Sequence, residues 1–311
     1  MTDVVCLGIL VADAIARPVD DVPPRGALEL VDEISLHGGG CALNTASTLV
    51  RLGLEAAVVG KVGADPFGDF ILQLLDERGV DRRGVSQDSA VPTSATVVLV
   101  DSGGERTFLH LPGANGHLMP EELDDDALFS GRALHVAGAL VMPSLDGDPT
   151  VAVLEEARAR GLTTSLDTVW DATGRWERLV PSLPYLDLFV PSLAEGSAIS
   201  GQPEPESVAA WLRERGVGTV ALKLGADGCF VSSEEFEGFV AAPAVEAIDG
   251  TGSGDAFAAG LLYGALAGWP LERSAALANA AGALAASAVG AVEGVLGLQE
   301  TLTLAGLASA A

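Results

Sequence analysis

Cysteine and lysine are scarce in this 311-residue chain, with three of the first and two of the second. Cys6, Cys41 and Cys229 stand far apart in unlike contexts, without CxxC spacing or a nearby histidine. That excludes a disulfide framework and a zinc site. Lys61 and Lys223 are the only lysines against a net charge of −26, so no cluster of cations exists to neutralise a phosphate backbone, and nucleic acid is excluded as a partner. Also missing is any stretch of about twenty apolar residues free of charge or helix-breaking punctuation, although 49% of the chain is hydrophobic. The densest run, "ALANAAGALAASAVGAVEGVLGL", is largely Ala and Gly with Asn279 and Glu293 inside it, and reads as buried helix rather than as a membrane span. The opening "MTDVVCLGILVAD" has Asp3 where a signal peptide carries positive charge, and Asp13 ends its apolar run early, which predicts a cytoplasmic protein.

Three motifs are absent as well. There is no GxGxxG, no GxxxxGK[ST] and no GxSxG, which removes the dinucleotide fingerprint, the Walker loop and the nucleophile elbow. The acidity leaves a further constraint. Any phosphate-bearing ligand has to be attracted locally, by main-chain amides, a helix end and a metal ion.

What is present is an alternation of short Val/Ile/Leu-rich runs with longer periodic segments, the pattern of βαβ units. "DVVCLGIL", "AAVVGKVG", "LHVAG", "LTTSLD", "LDLFVPS" and "TVALKLG" read as strands. "NTASTLVRLG", "PFGDFILQLLDERGV", "VAVLEEARARG" and "ESVAAWLRERGV" read as helices. The expected fold is α/β, a doubly wound, mostly parallel sheet with helices on both faces, spanning 1–311 as one domain. Residues 14–37 and 94–111 break the alternation; the second stretch holds two alternating runs about a Ser-Gly-Gly turn. These two inserts predict a small β lid.

Two glycine-rich turns carry chemistry. In "HGGGCALNTASTLVRLG" (37–53), glycines precede Asn44 at the opening of a helix, an amide able to donate to and accept from a polyol, or simply to cap the helix. In "AIDGTGSGDAFAAG" (247–260), glycines run into Asp255 at another helix start. Read locally, this is an anion-binding turn or a capped tight turn.

Together these stretches resemble the two signatures of the ribokinase-like (PfkB-type) carbohydrate kinases: "GGGCALNTASTLVRLGLEAAVVGKVGADPFGDFI" the N-terminal one and "AIDGTGSGDAFAAGLLYGAL" the C-terminal one. The likeness extends through "GILVAD", "GERTFLHLPGAN", "LKLGADGCFV" and "NAAGALAASAVGA", nearly the whole chain. It implies transfer of the γ-phosphoryl group of ATP, with Mg2+, to a hydroxymethyl group of a small sugar or sugar derivative. Asp255 then matches the base, and the amides of Gly252, Ser253 and Gly254 match the anion hole. Asp13, Gly39, Gly40 and Asn44 match substrate-hydroxyl contacts. Lys223, Gly225, Gly228 and Asn279 match the adenosine groove, with Lys223 in place of a common hydroxyl residue, there either to reach phosphate oxygens or to form an ordinary salt bridge. Arg106 in the second insert is expected to meet the substrate or the transferred phosphate, with His110 and Asn115 flanking the same approach. Asp249, Thr251 and the turn at Val289 and Gly290 match a monovalent-cation (K+) site of some members. The resemblance also extends to a homodimer through the lid.

The chain departs from the pattern at three places. The NxxE motif becomes "SLAE", which keeps Glu195 for metal-bound water and puts Ser192 where an asparagine meets the nucleotide. Gly250 replaces a threonine. "LHVAGALVMP" is apolar where ribokinases carry a glutamate, which disfavours ribose. A nucleoside kinase and a non-catalytic sugar- or nucleotide-binding regulator stand as alternatives, and the missing GxGxxG disfavours an oxidoreductase.

Overall fold

Val4 and Cys6 alternate with Val5 and Leu7 along the first strand, and all four are buried. Because neighbouring side chains on a strand point to opposite faces, this strand must have a hydrophobic core on each side. The computed structural model, which describes residues 2–308, shows both cores. In chain order the strands are β1 (Val4–Gly8), β2 (Val11–Arg17), β3 (Glu33–Gly39), β4 (Ala56–Gly63), β5 (Asp81–Asp88), β6 (Ala95–Val100), β7 (Arg106–Leu111), β8 (Ala133–Ala139), β9 (Thr163–Thr168), β10 (Leu188–Phe189), β11 (Thr219–Lys223), β12 (Cys229–Ser232) and β13 (Glu237–Val240). The helices are α1 (Cys41–Arg51), α2 (Pro66–Glu77), α3 (Asp125–Leu128), α4 (Asp148–Ala159), α5 (Leu193–Ser200), α6 (Pro205–Arg213), α7 (Ser253–Leu266), α8 (Leu271–Ala286) and α9 (Leu298–Leu304).

Nine strands form the main sheet in the order β13-β12-β11-β10-β9-β8-β1-β4-β5, parallel except for the β11–β12–β13 edge. Residues of α1, α2, α7 and α8 pack with Val4 and Cys6 on one face, and residues of α3, α4, α5 and α6 pack with Val5 and Leu7 on the other. Helices α7 and α8 lie so close that a Cβ added to Gly260 would sit 2.7 Å from the Ala278 Cα, which accounts for the Ala/Gly-rich composition of this end of the chain. The expected long helix stops at Ala286 rather than running to Leu298. Gly290 turns the chain at φ +97°, and Arg51 gathers the carbonyls of Val292 and Val295 at 2.6 and 2.9 Å, so the segment folds back toward α1. The expected strand over 186–192 is regular only at Leu188–Phe189, with one further isolated bridge from Ser192 to Lys223 after Pro191.

The two inserts make a separate four-stranded sheet in the order β3-β2-β6-β7. It starts earlier than the expected 14–37: β2 begins at Val11 and β3 reaches Gly39, so Asp13 belongs to the lid and not to the end of β1. Leu10 lies between the two sheets, and Asn115 clamps it. The Asn115 side chain donates to the Leu10 carbonyl at 2.9 Å and accepts from the Leu10 amide at 3.1 Å, as a strand partner would. Its amide is therefore spent on the junction and does not face substrate. Asn115→Ala leaves a buried N–H and C=O unpaired, and should lower stability by about 1–3 kcal/mol in a denaturant titration; an unchanged midpoint would mean that the clamp contributes nothing.

Candidate active site

The C-terminal ends of parallel strands, where the chain crosses into helices, are where open α/β sheets bind ligands. Helices α1 and α7 begin there, each after a glycine turn. Gly252, the residue before α7, adopts φ +73°, and a Cβ on it would lie 2.3 Å from the Ala291 carbonyl oxygen, so the turn requires glycine. No side chain caps α7, which leaves first-turn amides available to an anion. Gly39 answers a different need. A Cβ there would lie 2.1 Å from Asp13 Oδ2, so its absence makes room for that carboxylate.

Residues 252–255 divide between two cavities, Gly252 and Asp255 lining one and Ser253 and Gly254 the other. One, of about 430 Å³, lies under the lid and is lined by Asp13, Gly40, Asn44, Arg106, Gly252 and Asp255 among others. The second, of about 460 Å³, is lined by Lys223, Gly225, Gly228, Ser253, Gly254 and Asn279 among others. Of the residues expected to touch acceptor, Asp13, Gly40, Asn44 and Arg106 line the first chamber and Gly39 does not; of those expected to touch nucleotide, Lys223, Gly225, Gly228 and Asn279 line the second and Ser192 does not, while Asp255 lines the first.

Asp255 is 8% exposed, and its Oδ2 accepts from Asn44 Nδ2 at 2.8 Å. Burial raises its pKa, against the lowering effects of Asn44 and the Lys223 charge. Asn44 Oδ1 is buried with no protein partner, an acceptor ready for a hydroxyl donor. Burial likewise raises Asp13, which Thr96 and His37 oppose. Cys41, one turn before Asn44 on α1, also bonds Asp255; burial and the carboxylates of Asp255 and Asp167 raise its thiol well above the usual range, so it stays protonated.

Lys223 donates to both oxygens of Asp167, at 2.7 and 2.8 Å. A Cβ on Gly254 would lie 3.2 Å from Lys223 Nζ, which places this cation against the anion turn. Burial works against the ammonium, but Asp167 and Glu195 outweigh it and hold its pKa above the ordinary lysine value. Burial also raises Asp167 despite Lys223. Ser192 and Glu195 form a reciprocal cap on α5: Ser192 Oγ accepts from the Glu195 amide at 3.2 Å, and Glu195 Oε2 accepts from the Ser192 amide at 2.7 Å. Asn279 donates to the Val240 carbonyl at 2.8 Å and ties α8 to the end of β13 at the groove.

Arg106 is partly buried. It crosses from the lid to the anion turn, donating to Asp249 Oδ1 at 2.5 Å and to Thr251 Oγ1. Asp249 also accepts from the amides of Thr251, at 2.8 Å, and Gly290, at 3.2 Å. Burial opposes its charge, yet these donors hold its carboxyl below the usual range. The pair expected in a monovalent-cation site therefore holds a guanidinium. His110 is exposed and its Nδ1 lies 3.1 Å from Thr96 Oγ1, behind the residue that touches Asp13.

Asp167, Cys41, Thr96 and His37 escape the sequence reading. A signal existed for Asp167, which ends the apolar strand "LTTSLD" where ligands bind, and for Cys41, three residues before Asn44 on one helical face. Among the described residues, no group of three or more His, Cys, Asp and Glu side chains could hold a metal ion. Mg2+ commonly needs only one or two carboxylates beside substrate phosphates; the one expected, Glu195, is buried with Oε2 on the Ser192 amide.

The model of the pfkB family carbohydrate kinases matches residues 1–296. The 2-dehydro-3-deoxygluconokinase of Bacillus subtilis is 31% identical over 87% of this chain and 87% of its own, and a fructokinase of Klebsiella pneumoniae is 36% identical over 82% and 87%. Among solved structures, an Escherichia coli ribokinase-type protein bound to ATP and Mg2+ superposes with a TM-score of 0.85, at 26% identity over 98% of this chain and 99% of that one. The chain belongs to the pfkB family of carbohydrate kinases, and it is a phosphotransferase acting on a sugar or nucleoside. No described helix is long and apolar enough to cross a membrane.

The Lys223–Asp167 pair yields a stability prediction. Lys223→Met strands a buried carboxylate and should cost about 3–5 kcal/mol at neutral pH. The neutral form of Asp167 is the one that burial favours, so the deficit relative to wild type should shrink as pH falls and Asp167 takes up its proton. The double variant Lys223→Met/Asp167→Leu should recover most of the loss. A single variant that melts with the wild type at every pH would show that the pair carries no charge in the fold.

Proposed function

We propose that the chain transfers the γ-phosphoryl group of ATP to a hydroxymethyl group of a small sugar or sugar derivative. The observation that carries this reading is Asp255: a buried carboxylate, bonded to Asn44, that lines the acceptor chamber directly after Ser253 and Gly254, which line the other. The acceptor's hydroxyl proton goes to Asp255, and its oxygen forms the new bond to phosphorus as the γ-phosphoryl leaves the β-phosphate. The raised pKa suits a base, because a carboxylate with a higher pKa takes a proton more readily.

Asn44 fixes the rotation of that carboxylate and offers Oδ1 to an acceptor hydroxyl, while Asp13 offers a second acceptor. The amides of Gly252, Ser253 and Gly254 receive charge that spreads onto the phosphoryl oxygens, with Lys223 behind them. When bound, ATP supplies the phosphoryl group and Mg2+ neutralises its oxygens; the Escherichia coli protein noted above binds both, and here Glu195 would hold the ion's water. We assign no K+ ion, because Arg106 already meets the charge of Asp249.

The outer face of the lid supports a homodimer. Leu36, Ala14, Val97 and Leu109 form one register row across its four strands, with Ile34 and Leu111 nearby, and all but Ala14 of these are exposed. In a chain of net charge −26, the same uncharged face on a second copy meets this surface without repulsion. Sedimentation at micromolar concentration should show a dimer that Leu109→Glu converts to a monomer; a monomeric wild type would refute it.

Asp255→Asn should lower kcat by about 10²- to 10⁴-fold with the acceptor KM little changed. In the wild type kcat/KM should fall toward acid pH, with an apparent pKa above the ordinary carboxylate range, and this limb should vanish in the variant. Undiminished turnover by Asp255→Asn would remove the base from the mechanism.

A further inference from the structure

The acceptor chamber is polar at one end and apolar over much of the rest. Strand register sets the inner face of the lid in rows: His37, Asp13 and Thr96 in one, Ile15, Val98 and Phe108 in the next. Successive same-face rows stand roughly 7 Å apart. The first row carries the hydroxyl-seeking Asp13, close to Gly39 at the entrance to α1. The second offers hydrocarbon at Ile15, Val98 and Phe108, with Ser35 at its β3 end bonded to His37.

Ile248 and Val289 extend that hydrocarbon surface from outside the lid. Phe108, Ile248 and Val289 are 58, 59 and 41% exposed, stand on three separate segments, and line the same cavity. Large apolar side chains left wet around one concave site mark a place for an apolar ligand group.

The polar end presents acceptors. Asn44 Oδ1 is buried without a partner, and Asp13 and Asp255 add carboxylates, so the ligand must bring hydroxyl donors. Charge narrows the class further. Both arginines that line the chamber are already paired, Arg106 with the buried Asp249 and Arg17 with Glu33 in an exposed pair. An anionic acceptor would meet Asp13, Asp249 and Asp255 instead.

Resting on the kinase reading above, we infer that the acceptor is an uncharged glycoside, with sugar hydroxyls on Asp13 and Asn44 and a flat, largely apolar ring over Ile15, Val98 and Phe108. A nucleoside is the chemical type that fits. The pattern would be different for a free sugar, which has no group to cover the second row.

The test measures ADP release from MgATP, and thermal stabilisation, with a purine nucleoside, the free pentose it contains, a ketohexose and a keto-deoxy sugar acid. The nucleoside should have kcat/KM at least about tenfold above each other acceptor. Phe108→Ala should erase most of that advantage through the nucleoside KM. A free sugar or the sugar acid as the best acceptor would overturn the inference, the first by showing that the lid closes its apolar row on itself. Should no acceptor release ADP, the kinase reading fails, and melting temperature decides the chamber. Stabilisation by the nucleoside and not by its pentose would uphold the apolar seat; no stabilisation by the nucleoside would overturn it.

Discussion

The bond from Asn44 to Asp255 joins two helices whose first turns lie 211 residues apart in sequence, and the site depends on it. A carboxylate this buried is costly to ionise unless donors compensate it. Asn44 provides one, Cys41 another, and the Lys223 charge a longer-range one. The residual effect of burial still raises the pKa. In the mechanism proposed, the side chain that steadies the base leaves its other atom, Oδ1, for the acceptor, so one residue would couple the geometry of the proton acceptor to that of the alcohol.

Charge is the second constraint. In the mechanism proposed, an acidic chain that handles phosphate concentrates attraction where the phosphoryl group travels, with an uncapped helix terminus and one part-buried lysine. Asp167 keeps that lysine charged and in place, while Arg106 supplies a further cation from the lid and ties it to the turn before α7. The lid is therefore continuous with the catalytic turn through side chains as well as through the Leu10 junction.

Much of this was legible in the sequence because it rests on local chemistry. Glycines at 252 and 39 report backbone turns and close approaches, and an aspartate at a helix start after such a turn is visible without a fold. The alternation of strands and helices gave the layered sheet, and the two interruptions gave the lid. What stayed hidden depends on long-range pairing. Nothing near Lys223 announces Asp167, 56 residues earlier, and nothing near Arg106 announces Asp249, 143 residues later. Asn115 looks like a substrate contact until its two bonds to Leu10 are seen, and the Ala-rich C-terminal run conceals a helix end that only Gly290 hints at.

The most direct test of the account is a crystal structure with ADP, Mg2+, aluminium fluoride and an acceptor. It predicts the fluoride group against the amides of Gly252 to Gly254, with the acceptor's reacting oxygen about 3 Å from Asp255, within hydrogen-bond reach. A reacting oxygen held by some other base, with Asp255 turned away or bonded only to protein, would contradict it.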